Sequence, residues 1–197
     1  MENDLERLPD EELMLRFQQG NEAGFRVLVD RYRQRIFAFT WRFLNGSQEA
    51  EDIAQEVFVK VYFARESWRP AAKFSTWVYV ITRNTCLQAL KKMGPRISVD
   101  SRQTEDGREL IETLAAGNAK TPSDHALAEE KSRRIADALD RLPESQKMAI
   151  ILRRYDQLSY EEIGEVMNCS VQSVKSLLFR GHVALKEHLK EYFADGV

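Results

Sequence analysis

Ser159-Tyr160-Glu161-Glu162-Ile163-Gly164-Glu165-Val166-Met167, Asn168-Cys169-Ser170 and Val171-Gln172-Ser173-Val174-Lys175-Ser176-Leu177-Leu178-Phe179-Arg180 follow one another in this 197-residue chain. Ser159 and Glu162 form a capping box, in which the serine hydroxyl accepts from the Glu162 N–H and the Glu162 carboxylate reaches back to the Ser159 N–H. The helix so started lasts only to about Met167 and breaks at Asn168-Cys169-Ser170. A longer helix restarts with Ser170 as its cap and Val174, Leu177, Leu178, Gly181 and Leu185 as its inward stripe. A short helix, a tight turn and a longer helix make the helix-turn-helix layout, whose second helix enters a DNA major groove. The opposite face carries Gln172, Lys175, Ser176, Phe179 and Arg180. The cations suit phosphates and guanine, and Phe179 suits sugar edges or thymine methyls. A solvated amphipathic helix with one half-covered phenylalanine is the plainer alternative.

Upstream of this unit, Thr121, Pro122 and Asp124 supply a cap, a proline at the first helical position and an acid in the first turn. The helix they open carries Ile135, Ala138, Leu139 and Leu142 on one face and ends near Pro143. Residues 96–121 are rich in Asp, Ser, Thr, Gly and Asn, with only Leu110, Ile111 and Leu114 hinting at a helical turn, and read as a linker. In the first half, Phe25, Leu28, Val29, Tyr32, Ile36, Phe39 and Phe43 recur at helical spacing, as do Ile53, Val57 and Val61 with Ala54, Phe58 and Tyr62. Asp10 is positioned to cap a helix running to Gly20, and Asn21 the next, which Asn45-Gly46-Ser47 stops. Ser75 is positioned to cap a helix through Lys92, ended by Gly94-Pro95. No segment alternates with period two. The expectation is an all-α protein of two small helical domains, 1–95 and 122–197, joined by a flexible linker, 96–121, the second domain being the helix-turn-helix.

At 43% hydrophobic and 30% charged, the composition excludes disorder throughout. Twenty-nine Lys and Arg against 31 Asp and Glu leave a net charge of only −2, but the charge is unevenly spread. Residues 67–99 hold no acid and six cations, Arg69, Lys73, Arg83, Lys91, Lys92 and Arg96. The acidic start Met1 to Arg7 is unlike a signal peptide, and the longest apolar run is Met148 to Leu152, so a cytoplasmic chain without membrane insertion is expected. Cys86 and Cys169 are too few for a disulfide framework, and His125, His182 and His188 are dispersed. With no Gly-rich phosphate loop and no Cys–His or His–carboxylate constellation, neither enzyme, cofactor nor metal is expected.

Within the acid-free stretch, Trp68, Phe74, Trp77 and Tyr79 interleave with the cations, a pattern that suits single-stranded nucleic acid through stacking and backbone contacts. Trp68 and Phe74 fall in a loop and are open to this role, whereas Trp77, Val80 and Ile81 continue the core stripe. Asn84 on that stripe is either a satisfied buried amide or a base-reading group. Glu49, Asp52, Gln55 and Glu56 share the outer face of the helix that buries Ile53, Val57 and Val61. That face is either a solvated one or a docking face for a protein.

Taken together, these residues resemble the extracytoplasmic-function (ECF) group of bacterial sigma factors over nearly the whole chain. Glu51-Asp52-Ile53-Ala54-Gln55-Glu56-Val57-Phe58 is similar to the helix that such factors clamp onto the coiled coil of the polymerase β′ subunit. Lys73-Phe74-Ser75-Thr76-Trp77-Val78, Ile81, Arg83-Asn84 and Lys91-Lys92 are similar to the segment that melts and reads the minus-ten element. Leu142-Pro143, Leu158 to Gly164, Val174-Lys175-Ser176 and Phe179-Arg180 are similar to the minus-thirty-five reader. The resemblance implies a transcription initiation factor whose partners are core RNA polymerase, through its β′ coiled coil and β subunit, promoter DNA both duplex and single-stranded, and an anti-sigma factor. It implies polymerase binding by Asp52, Gln55, Glu56 and Phe58. Minus-ten binding falls to Trp68, Arg69, Lys73, Phe74, Ser75, Thr76, Trp77, Arg83, Asn84, Lys91 and Lys92, the loop Trp68 to Ser75 holding a flipped base. Minus-thirty-five binding falls to Ser170, Gln172, Ser173, Lys175, Ser176, Phe179 and Arg180. Lys175 stands where many relatives have Arg, which weakens a bidentate guanine contact. The alternative to this reading is a stand-alone helix-turn-helix regulator with a helical sensor domain.

Overall fold

A computed structural model describes the backbone of residues 2–93 and 122–194, and among these the regular elements are helices. In the first half they are α1 (Glu2–Leu5), α2 (Asp10–Gln18), α3 (Glu22–Phe43), α4 (Glu49–Ala64), a 3₁₀ turn (Arg65–Ser67) and α5 (Phe74–Met93). The second half holds α6 (Pro122–Asp140), α7 (Glu144–Arg154), α8 (Tyr160–Met167) and α9 (Val171–Ala194). The expected linker, with Leu110, Ile111 and Leu114, lies outside the described residues, as does the cap Thr121.

The helix ends follow local chemistry in part. Asn21 accepts from the Ala23 N–H at 3.1 Å. Asn45 and Gly46 take φ of +61° and +67°, and the Gly46 N–H returns to the Trp41 carbonyl at 2.9 Å, which closes α3 as the sequence indicates. Two caps differ from expectation, one because tertiary partners draw the expected capping group away and one because a tertiary partner supplies the acceptor. Asp10 is the first residue of α2 rather than its cap, and its carboxylate accepts from Arg31 and, at 2.5 Å, from the Tyr32 hydroxyl. α5 opens at Phe74, one residue before Ser75, and the Phe74 N–H is satisfied at 3.1 Å by the Glu11 carboxylate of α2. An acid at that N-terminus is also favoured by the helix dipole.

The apolar stripes are buried as the periodicity indicates, with Leu28, Tyr32, Ile36, Phe39 and Phe43 of α3 facing Ala54, Val57 and Val61 of α4 and Val78, Tyr79 and Cys86 of α5. Burial pushes the Cys86 thiol up to about 12. On α6, Ala138 and Leu139 are buried, but Ile135 is 38% exposed, at the solvent edge of its stripe. The two halves do not stand apart. α7 packs on α3, α8 lies along α5, and the buried side chains of both halves form one cluster.

Candidate nucleic-acid interface

α8 begins with the capping box intact, Ser159 Oγ accepting from the Glu162 N–H at 3.2 Å and Glu162 Oε2 from the Ser159 N–H at 2.8 Å. It ends at Asn168, whose left-handed φ of +52° an asparagine tolerates. The turn is closed by the Cys169 N–H on the Gly164 carbonyl at 2.9 Å. Gly164 is required there because a Cβ at this position would lie 2.8 Å from the Cys169 carbonyl oxygen. Ser170 caps α9 by accepting from the Ser173 N–H at 3.1 Å. Val174 and Leu178 are buried beneath, so α9 is fixed in rotation and Gln172, Lys175, Ser176, Phe179 and Arg180 line one shallow exposed groove.

Phe179 is 70% exposed, which is costly for a solvated ring and natural for one that meets a ligand. Ser176 donates to the Gln172 carbonyl at 3.0 Å and Arg180 Nε to the Ser176 carbonyl at 3.3 Å, so both cling to their own helix. Lys175 lies 5.9 Å above the Tyr160 ring. Beside this face, Arg153, Arg154, Gln157 and His182 line a second cleft with Ile150. The sequence reading passed over it. The signal available was His182 standing seven residues after Lys175, two turns along the same face.

In the first half the candidate residues separate by burial. Arg69, Lys73, Asn84, Lys91 and Lys92 are exposed, and Ser75, Trp77 and Arg83 are half-buried. Trp77, Asn84 and Lys91 fall on one stripe of α5 at helical spacing, and Lys73, just before its first residue, stands four residues ahead of Trp77. Asn84 accepts from Arg83 Nη1 at 3.1 Å and is no buried amide. Trp68 and Phe74, expected as open loop rings, are each 1% exposed, and Thr76 is buried too. The physical reason is that Gln18 grips the loop, donating to the Arg65 and Trp68 carbonyls at 2.7 and 3.2 Å, while Phe74 meets the Tyr32 ring edge-on at 5.2 Å. These residues set the shape of the loop and leave no ring face free for stacking.

On α4, Asp52 and Gln55 are exposed, Glu56 and Phe58 half-buried, and Glu56 pairs with Lys60 at 2.8 Å. The same face continues to Val59 and Phe63, 53% and 77% exposed. The sequence reading did not single these out, although their spacing from Gln55 and from each other places them there.

Exposed Lys73 and half-buried Glu162, from separate halves, meet here. Lys73 Nζ and Glu162 Oε1 stand 2.8 Å apart. The hydrogen bond to Lys73 holds the Glu162 carboxyl below its usual range, and the bond to Glu162 holds the Lys73 ammonium above its own.

Among the described residues no group of three His, Cys, Asp or Glu could hold a metal ion, and no helix is long and apolar enough to cross a membrane. A helix-turn-helix in one half and an acid-free basic helix in the other are features of the DNA-binding class of protein. Family comparison narrows the class. Sigma-70 region 2 matches residues 28–95 and Sigma-70 region 4 matches residues 132–185. The ECF RNA polymerase sigma-E factor of Haemophilus influenzae is 34% identical over 94% of this chain and 97% of that one. The RNA polymerase sigma-H factor of Pseudomonas aeruginosa is 35% identical over 92% and 94%, and ECF sigma factor SigW of Bacillus subtilis 33% over 88% and 92%. The fold matches CnrH, solved with the cytosolic domain of CnrY, at a TM-score of 0.66 and 21% identity over 92% of this chain and 97% of that one. It also matches the sigma factor RpoE of Bartonella quintana, solved with the anti-sigma factor NepR, at 0.62 and 21% over 84% and 96%. The chain belongs to the ECF sigma factor family. Its function is that of a transcription initiation factor.

Proposed function

We propose that three surfaces divide the work of initiation in this chain, within a domain layout of 1–95, 96–121 and 122–197. The observation that carries this reading is the α9 groove, in which Gln172, Lys175, Ser176, Phe179 and Arg180 stand together in solvent over a buried Val174 and Leu178. These residues, with Ser170 and Ser173, contact the minus-thirty-five duplex, Lys175 and Ser176 at base edges and Arg180 at phosphate. Arg153 and Arg154 extend the cationic edge along the DNA backbone, with His182 beside them.

The α5 stripe and the loop before it hold the minus-ten strand. Arg69, Lys73, Arg83, Lys91 and Lys92 take phosphates, and Trp77 and Asn84 meet bases, while Trp68, Phe74, Ser75 and Thr76 shape the pocket for a flipped base from beneath. Flipping costs a few kcal/mol, which stacking at about 1–3 kcal/mol per base and phosphate contacts offset. Asp52, Gln55, Glu56 and Phe58 dock on core polymerase at the β′ coiled coil, with Val59 and Phe63 as an apolar extension that the partner desolvates. The second half meets the β subunit. An anti-sigma protein is a further partner class, the chain works in the cytoplasm where polymerase is, and it makes and breaks no covalent bond itself.

The test is promoter-directed transcription by core polymerase supplied with chains carrying Lys175→Ala, Ser176→Ala, Phe179→Ala or Arg180→Ala singly. The reading expects losses that differ with promoter sequence for Lys175 and Ser176. Four unaltered variants reassign α9 as a protein-docking face.

A further inference from the structure

Lys60 stands on α4 one turn after Glu56, where α4 packs on α5. Its ammonium group has three protons, and three oxygens take them. Glu56 Oε1 of the same helix lies at 2.8 Å, and on α5 the Thr85 hydroxyl lies at 3.2 Å and Gln88 Oε1 at 3.0 Å. The Thr85 hydroxyl donates its own proton to the Ile81 carbonyl at 2.9 Å, so it meets Lys60 as an acceptor. Because Thr85 is buried, the ammonium is anchored at the seam between the two helices.

This anchoring orients the Gln88 amide. The oxygen and nitrogen of an amide exchange places when the side chain turns over, and the hydrogen-bond network decides which is where. An ammonium has donors only, so Lys60 turns Oε1 towards α4 and the NH2 group outwards. Gln88 is exposed, and its Nε2 donates to no acceptor among the described residues. It stands four residues after Asn84 and three before Lys91, on the stripe of α5 that carries Trp77. The usual glutamine contact is with adenine, accepting from N6 and donating to N7. Here a cation sits on the accepting end and repels a further N–H, which leaves the donating end to choose the base.

Resting on the assignment of α5 to the minus-ten element above, we propose that Gln88 is a specificity-determining residue that reads one base of that element as a hydrogen-bond donor, with Lys60 as the positioning residue that sets its amide. The base it selects carries a keto oxygen on its major-groove edge, guanine O6 or thymine O4. Adenine and cytosine present amino groups there and are disfavoured.

The test is transcription by core polymerase and the full chain on promoters in which each minus-ten position in turn carries all four bases. The parent should prefer guanine or thymine at one position by about fivefold or more. In Gln88→Glu the carboxylate still accepts from Lys60 but has no donor, so preference at that position should turn over to adenine or cytosine while the other positions stay unmoved. Lys60→Met keeps the length of the side chain and frees the amide to turn, which should level the preference. Each readout is a ratio within one holoenzyme and is independent of how tightly a variant holds polymerase. A Gln88 that only supports the fold, or only meets a phosphate, would lower all four bases alike, and either result overturns the inference. Asn84→Ala separates this from the reading of α5. If it shifts preference at a neighbouring position while Gln88→Glu shifts none, the inference alone falls; if neither shifts any position, the α5 assignment falls with it. Should Lys60→Met fail to fold, Gln88→Glu, a change at an exposed site, decides.

Discussion

The Tyr79 hydroxyl donates to the Asp156 carboxylate across the junction of the two halves, with both residues buried. Burial pushes the Asp156 carboxyl up to about 6, against the lowering effects of Tyr79 on α5 and of Arg35 and Arg42 on α3, the latter stacked over Tyr155 at 4.1 Å. The folded chain therefore binds this proton more tightly than the unfolded one, where the ordinary value is 3.8. Its contribution to stability is fully present in acid, declines as pH rises from about 4 to about 6, and is flat above, a change of at most about 3 kcal/mol.

From this sign, Asp156 should favour the fold more at pH 5 than at pH 7, and Asp156→Asn should lack that pH dependence. Lys73–Glu162 does not confuse the readout, since a carboxyl held below its usual range loses its pairing only below its ordinary 4.5. The check is urea unfolding of the parent and of Asp156→Asn at the two pH values. A parent that loses more stability than Asp156→Asn on acidification contradicts the assignment.

Gly164→Ala should loosen the helix-turn-helix. The added Cβ meets the Cys169 backbone oxygen at 2.8 Å, whereas at Gly181 it meets the movable tip of Ile150 at 2.7 Å. Overpacking against backbone should cost about 1–3 kcal/mol, and Gly181→Ala less. Thermal unfolding followed by circular dichroism ranks the two, and the reverse order defeats the argument.

Charge reversal of Asp52 and Glu56 together to Lys should abolish co-elution with core polymerase at unchanged helicity. The Glu56–Lys60 pair is partly exposed, and its loss costs under about 1 kcal/mol. Phe63→Ala should weaken the same association without touching the fold, since the ring is 77% exposed. Retention of both variants on polymerase removes α4 from the interface.

Arg180→Ala should weaken binding to all duplexes alike and reduce the salt slope by about one unit, as expected for a phosphate contact. Lys175→Ala or Ser176→Ala should instead relax preference at one base pair by about 1–3 kcal/mol. Titrations of the holoenzyme on promoter and scrambled duplexes at several salt concentrations separate the two. A sequence-dependent loss in Arg180→Ala reverses the roles.

What was legible in the sequence was local. The Ser159–Glu162 box, the Ser170 cap and the α9 stripe each depend on residues within one or two turns, and periodicity alone orients them. Asp10 and Ser75 are not the caps that local spacing indicates because distant groups intervene, Arg31 and Tyr32 taking the Asp10 carboxylate and Glu11 reaching Phe74 from 63 residues away. Trp68 and Phe74 sit where no period runs, so their burial followed from the grip of Gln18 and Tyr32 and not from spacing. Asn84 faces solvent for the converse reason: a stripe on α5 has two edges, and only packing against α4 and α8 decides which is inside. The Tyr79–Asp156 contact, 77 residues apart, left no local trace at all.

The most direct measurement is run-off transcription from genomic fragments by core RNA polymerase with and without the full chain. With the chain, discrete transcripts should start from a limited set of fragments sharing one promoter pattern, and the paired Lys substitutions at Asp52 and Glu56 should erase them. Transcripts unchanged by adding the chain, or unaffected by that double substitution, would contradict the account.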